Sequence, residues 1–347
     1  LFSFATHAQQ LKSKNRIAIL VSDNYSKPLS DAIIQLEKFP DFDRQFEVLT
    51  ANEDPSSIEQ ADLVVCYVHT GQVIQRYTEK LKAIVKRGGK VYAVGITPEA
   101  ANYQAWGMQF DSKLDSYFEN PSSENLVRMV QLLCDRHLGS SFQPEGPITF
   151  PNYAIVDWQT NKIYQDTVSF KREFQTLANA PWIGIYGFRY EFVTGQYDYL
   201  KTYAKALTEQ GFNVLMFYGF PLDHAVQQFC IDSHGQAGIE VLLNTSSLPG
   251  GSPEKLSKIF SKLGVPVING ITYAQNKKEW DNTSIGLSVA DRSMTLARPE
   301  IMGQIQPTIL ATQEILVDNL GNSYKQKKEL PDRVPHLVEK IKAWAAI

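Results

Sequence analysis

The side chains in this sequence that could do chemistry are six histidines, three cysteines and a few charged or aromatic residues that follow short apolar runs. His69 comes directly after the run 63–68, and His224 follows the run 213–218 and the turn Gly219-Phe220-Pro221-Leu222-Asp223. An imidazole in such a loop could ligate iron or carry a proton. A lone histidine is also commonly structural or simply exposed, so both roles stay open. His234 falls in a helix-to-strand connection and His336 on the last predicted helix, while His7 and His137 have no partner in sequence. The loop 188–196 offers Arg189, Tyr190 and Glu191, with Gly195 ahead of a helix. It lacks the glycine spacing of a dinucleotide or P-loop fingerprint. Leu248-Pro249-Gly250-Gly251 reads as a plain turn before Pro253 or as a ligand-side loop. Cys66, Cys134 and Cys230 are far apart with no C-x-x-C spacing, which argues against a zinc or iron–sulfur site built from cysteine. Cys66 and Cys134 read as small buried hydrophobes. No G-x-S-x-G, H-E-x-x-H or cysteine-nucleophile signature occurs.

Positioning such residues falls to alternating strands and helices. Runs at 16–22, 46–50, 63–68 and 90–95 read as strands. Helical spacing marks 29–39, 72–87 and 122–138, the second ending at Gly88-Gly89. The second half repeats the theme, with strands at 182–187, 213–218, 239–244 and 265–269. Helices are expected at 197–210, 224–232, 253–263 and 276–282, and 334–345 reads as a last amphipathic helix. Residues 293–297 and 305–312 read as two further strands. Alternation of this kind predicts an α/β fold: two doubly wound, mainly parallel α/β domains. The expected division is an arm at 1–15, a first domain at 16–138, a Pro/Gly-containing linker at 139–151 and a second domain at 152–347. In open parallel sheets ligands bind outside the carboxyl ends of strands. That rule favours 188–196, 219–223, 245–252 and 270–275.

The chain has 347 residues, 43% hydrophobic and 20% charged, enough for two cores. A formal net charge of −3 with scattered Lys and Arg leaves no footprint for nucleic acid or an anionic membrane. The densest basic cluster, Lys325, Lys327 and Lys328, reads as a solvated loop. Leu1 to Ala8 resembles the tail of a signal peptide's apolar region, with cleavage expected before Gln9, and equally an apolar arm. On the first reading the protein is exported or periplasmic; otherwise it is cytoplasmic. No other stretch reaches the ~18–20 apolar residues of a membrane span.

From Pro181 onward the sequence resembles the cobaltochelatase large subunit (CobN) and magnesium chelatase H subunit family. The residues that carry this are Pro181-Trp182-Ile183-Gly184-Ile185 and Gly211-Phe212-Asn213-Val214. Further along come Leu263-Gly264-Val265-Pro266-Val267, then Glu279-Trp280 with Gly286-Leu287, and Arg298-Pro299-Glu300-Ile301-Met302-Gly303-Gln304-Ile305-Gln306-Pro307. Residues 1–150 are similar only loosely. The last stretch resembles the family's P-E-[IL]-D-G pattern, with Met302 where the family has an acidic residue.

The resemblance implies an N-terminal portion of a much longer subunit that binds a tetrapyrrole, heme or a corrin precursor, and exchanges its metal. It implies no resident cofactor, with ATP entering only through partner subunits in a biosynthetic enzyme. Other expected partners are the remaining domains of the large subunit. Metal exchange at a porphyrin needs a group that takes or returns the pyrrole protons, and Glu300 is the residue that the resemblance offers for it. In that role it should be buried; the alternative is a carboxylate capping a turn or paired with Arg298. Arg298, Arg189 and Tyr190 could meet propionates or an aromatic face. The signal-like start and Met302 favour heme binding with iron removal over cytoplasmic cobalt insertion. A periplasmic-type binding module and a scaffold without substrate contact are the non-enzymatic alternatives.

Overall fold

The computed structural model describes residues 14–50, 56–69, 71–246, 250 and 252–345. The N-terminal arm up to residue 13 and the turn Leu248-Pro249-Gly251 lie outside them. The chain forms two compact units: one runs to Ile148 and also takes Val317–Tyr324, and the other comprises Thr149–Leu316 and the residues from Lys325 onward.

The first unit holds strands β1 (Asn15–Leu20), β2 (Phe46–Thr50), β3 (Leu63–Tyr67), β4 (Lys90–Val94) and β5 (Gln109–Phe110), all parallel, in the order β2-β1-β3-β4-β5. Every residue of β3 is buried, as expected of a strand covered on both faces by crossover helices. One cover is the helix Gln72–Lys86, which turns Ile74, Tyr77, Leu81 and Ile84 inward. Gly89 lets the chain leave it, since a Cβ there would sit 2.6 Å from Ile84 Cγ2. The helix Ser123–His137 is capped by Ser122, whose Oγ accepts from Asn125 N at 3.2 Å. Val317–Tyr324 is fixed within this unit by Ser30 Oγ–H donating to Asp318 at 2.7 Å.

The second sheet, which apart from Val317, Ser323 and Tyr324 belongs to the second unit, contains β6 (Tyr153–Val156), β7 (Ile163–Tyr164), β8 (Trp182–Gly187), β9 (Asn213–Gly219), β10 (Val241–Asn244), β11 (Val267–Tyr273), β12 (Ile305–Val317) and β13 (Ser323–Glu329). Their order is β13-β12-β11-β10-β8-β9-β6-β7. β9, β8, β10, β11 and β12 are parallel, and β6 and β7 add antiparallel at one edge. Apolar clusters fill both faces. The helix Pro253–Leu263 starts at Ser252, whose Oγ accepts from Lys255 N, and closes at Gly264 in the left-handed region at φ 68°.

The segment predicted as a linker carries no regular structure, yet it is pinned throughout. Tyr117 donates to Glu145 O at 2.6 Å, and Asn125 exchanges two 2.8 Å bonds with Ile148. The next residues bond instead to the second unit: Arg189 donates to Phe150 O at 2.9 Å and Pro151 O at 3.0 Å. The first long stretch of unit one ends at Ile148.

Two local expectations are corrected. Residues 293–297 are not a strand but a π-helical turn inside a helical run from Val289 to Ile301. Their five residues alternate too briefly to distinguish the periods, and the decisive signals lie earlier. Ser288 caps the run by accepting from Asp291 N at 3.1 Å, and Thr295 Oγ1–H bonds back to Asp291 O at 2.7 Å. The basic cluster at 325–328 is no solvated loop; it lies in edge strand β13.

Candidate functional site

In the parallel register, the carboxyl ends of β8, β10 and β11 lie side by side, because Asn244 pairs with Tyr186 and Asn269. β11 runs on past β10 to Tyr273. A cavity of about 220 Å³ opens along this edge. Phe188 and Tyr190 from the loop after β8 form part of its wall, with ring centroids 5.9 Å apart. Thr245 follows β10; Asn269, Gly270, Ile271, Thr272 and Ala274 come from β11 and its end; Thr295, Gln313 and Lys327 complete the lining. Thr295 sits in the π-helical turn, and Asn269 Nδ2–H donates to its carbonyl at 2.7 Å. Such π-turns often stand at functional sites.

Behind the wall is a buried ion pair. Glu191 is 1% exposed and the Lys327 side chain 12%, and Lys327 Nζ donates to Glu191 Oε1. Burial pulls the Lys327 ammonium toward neutrality, but Glu191, with Tyr199 and Tyr190, outweighs it and holds the lysine charged above its usual range. Tyr199 OH donates to Glu191 at 3.3 Å, and burial together with the Glu191 charge pushes that phenol up. The lysine also lies 5.5 Å from the Tyr199 ring centroid. Glu191 in turn accepts from Phe188 N at 3.3 Å, so the pair fixes the turn that carries Phe188 and Tyr190.

The residues singled out by sequence are dispersed. Tyr190 lines the cavity. Arg189, next to it, is spent on the carbonyls of Phe150 and Pro151. His224 is 69% exposed, 4.0 Å from Asp223 and stacked near Tyr153 at 6.4 Å. His69 belongs to the first unit, exposed, its Nδ1 3.0 Å from Ile96 O. Arg298 is half-buried on the short helix Arg298–Ile301, and Glu300 is exposed there. The Glu300 carboxylate has no hydrogen-bond or ion-pair partner among the described residues, so the burial expected of a proton-transfer group is not supplied by these residues. Ile305 pairs with Ile268, next to Asn269 of the cavity lining, so residues 298–304 lead into the amino end of β12.

The stretch around Glu300 also packs into the fold. Pro299 is buried, and Met302 is 1% exposed in a core cluster with Leu256, Phe260 and Val267. Gln304 is 2% exposed and accepts from Asn244 Nδ2 at 2.9 Å, tying the stretch to the end of β10. Lys327 went unseen in the sequence because its partner is 136 residues away and its neighbours are polar. Among the described residues no group of three or more His, Cys, Asp or Glu could hold a metal, and no helix is long and apolar enough to cross a membrane. The three cysteines are free and buried, with burial pushing the Cys66 and Cys134 thiols up to about 12.

Comparison with known proteins gives a consistent picture. Residues 115–347 match the family model described as CobN/Magnesium Chelatase. The magnesium-chelatase subunit ChlH of Oryza sativa subsp. indica is 22% identical over 249 residues, 65% of this chain and 17% of that protein. The aerobic cobaltochelatase subunit CobN of Sinorhizobium sp is 22% identical over 205 residues, 56% of this chain and 16% of that protein. The chain thus spans about one sixth of the length of the curated relatives that it matches. The solved catalytic subunit of cobaltochelatase from Mycobacterium tuberculosis shares the fold, with a TM-score of 0.62 and 16% identity, over 94% of this chain and 27% of that one.

Proposed function

Because the chain belongs to the CobN/Magnesium Chelatase family, we propose that it is a segment of a large chelatase-type subunit that binds a tetrapyrrole for exchange of the central metal. The family match over residues 115–347 is the observation that carries this. At about 220 Å³ the cavity is smaller than the ~300–1,000 Å³ of drug-sized ligand sites. A tetrapyrrole macrocycle would therefore lie against the edge that carries Tyr190 and be completed by residues beyond this chain.

Two directions of exchange follow. Iron removal from heme is the first, as the sequence suggested; its Met302 argument is spent, because that side chain packs in the core. Cobalt insertion into a corrin precursor is favoured by the likeness to two cobaltochelatase chains, and would engage ATP-hydrolysing partner subunits. Absorbance during incubation of the whole protein distinguishes them. Hemin under reducing conditions gives the metal-free porphyrin spectrum in the first case. A metal-free corrin precursor with cobalt(II), ATP and partner subunits gives the metallated corrin in the second, and neither product would sink both.

For Glu300 the proposal is a solvent-facing carboxylate that transfers no proton. Glu300→Gln in the whole protein should keep the exchange rate within about threefold, against the ~10²–10⁴-fold loss expected of a general acid or base. A loss of the larger size would return Glu300 to the chemistry.

A further inference from the structure

The helical run from Val289 to Ile301 is seated on its sheet by one side. Leu287, just before the run, and Leu296 pack with Ile271, Tyr273 and Ile309, and Pro299 is buried. The side turned away from the sheet is apolar as well. Of the twelve large apolar side chains exposed among the described residues, four fall in this segment: Ile285 at 70%, Val289 at 81%, Met294 at 41% and Ile301 at 73%. Single exposed apolar side chains are ordinary, whereas several gathered in one short segment and rimmed by polar residues mark a contact surface. Val289, Ser293, Ala297 and Ile301 follow at steps of four, which places them along one helical face, and all four are exposed. The π-turn at Ser293–Ala297 lengthens one turn and so limits the drift of that stripe around the axis. A surface helix ordinarily turns charged side chains outward. Here the outward stripe holds one hydroxyl and no charge, with Arg292 and Glu300 exposed at its rim.

We propose that this face is a docking surface, and that its occupant is another domain of the same, longer subunit, seated through apolar side chains. Length argues for a cover in the same polypeptide. The chain spans 17% of the rice magnesium-chelatase subunit and 16% of the Sinorhizobium CobN, so most of such a subunit lies outside these residues. Area argues the same way. A face of about six side chains falls far short of the roughly 20–30 residues per side of a stable interface between separate proteins. A tethered domain meets it at an effective concentration on the order of mM and so needs far less contact. A second copy or a separate partner lacks that advantage. Thr295, in the same run, lines the cavity, so a domain docked here stands beside it. The inference rests on the reading of the chain as a segment of a larger subunit, and not on that subunit's tetrapyrrole chemistry.

Thiol labelling of the whole protein, purified without other subunits, tests it. Val289→Cys and Ile301→Cys are made separately, and reaction with a maleimide is followed by mass spectrometry of the labelled peptide, natively and in urea. Substitutions at sites this exposed leave the fold of the segment intact. Each thiol should react at least about tenfold more slowly in the native protein than in urea, since labelling waits for the domains to part. That protection should hold on dilution from about 10 μM to about 0.1 μM, because a contact within one chain does not follow mass action. Val289→Glu in the Ile301→Cys protein should restore most of the lost rate by setting a charge in the contact. Native rates within about tenfold of those in urea would overturn the assignment. So would protection that fades on dilution, which would give the face to a second copy, or protection that Val289→Glu leaves unchanged. Tetrapyrrole binding by the same variants is read separately by absorbance, so its failure leaves the labelling result standing.

Discussion

Replacing Lys327 by methionine should cost about 3–5 kcal/mol of stability, because it strands the Glu191 carboxylate in the interior. Glu191 is 1% exposed, and among the described residues its side chain has, besides Lys327, only the long bonds from Tyr199 OH and Phe188 N, at 3.3 Å or more. A charge so placed must either stay unpaired or take up a proton, and both are expensive. The double variant Glu191→Gln with Lys327→Met removes both charges at similar volume, so it should recover most of the loss. Urea unfolding followed by circular dichroism measures both. If Lys327→Met alone stays within about 1 kcal/mol of wild type, the pair does not hold the wall of the cavity.

Met302→Asp should cost roughly 3 kcal/mol or more at pH 7, from lost packing and from a carboxylate forced into the core. The position is 1% exposed and packs with Leu256, Phe260 and Val267. Its pH dependence has a definite sign. Burial would raise the folded-state pKa of the new aspartate above its unfolded value of about 3.9. The folded form then binds the extra proton, so stability falls as pH rises from about 4 through the raised value. The deficit relative to wild type should therefore be smaller at pH 4.5 than at pH 7. Equal stability of the two proteins at pH 7 would show that the site accepts an acid, and Met302 would again be a substitution that bears on substrate.

These two residues mark where sequence reasoning reached and where it stopped. The parallel units were legible because strands such as Leu63–Tyr67 are apolar on both faces and helices such as Gln72–Lys86 repeat their apolar side every turn. Glycines at Gly89 and Gly264 punctuate as their sterics require. The carboxyl-edge rule also singles out the loop after β8, and Tyr190 lies on the wall of the cavity there.

What escaped was everything set by distant partners. Lys327 looks like one of several solvated lysines until β13 places it against Glu191. Thr295 belongs to five residues whose brief alternation imitates a strand, whereas the cap at Ser288 and the bond from Thr295 Oγ1 back to Asp291 O belong to a helix. Glu300 rests on the family pattern around it, and the sequence does not show that Met302 and Gln304 of that stretch are buried while Glu300 is exposed. Arg189 was legible as a cation in the right loop, though its task of binding the carbonyls of Phe150 and Pro151 was not.

The central claim is that this chain contributes to a tetrapyrrole site, and equilibrium binding tests it most directly. The whole protein is titrated with hemin and, separately, with a metal-free corrin precursor, and absorbance is followed to saturation. The account predicts saturable binding of at least one of them, with a shifted Soret band in the case of hemin. Spectra that stay those of the free tetrapyrroles throughout both titrations would contradict it.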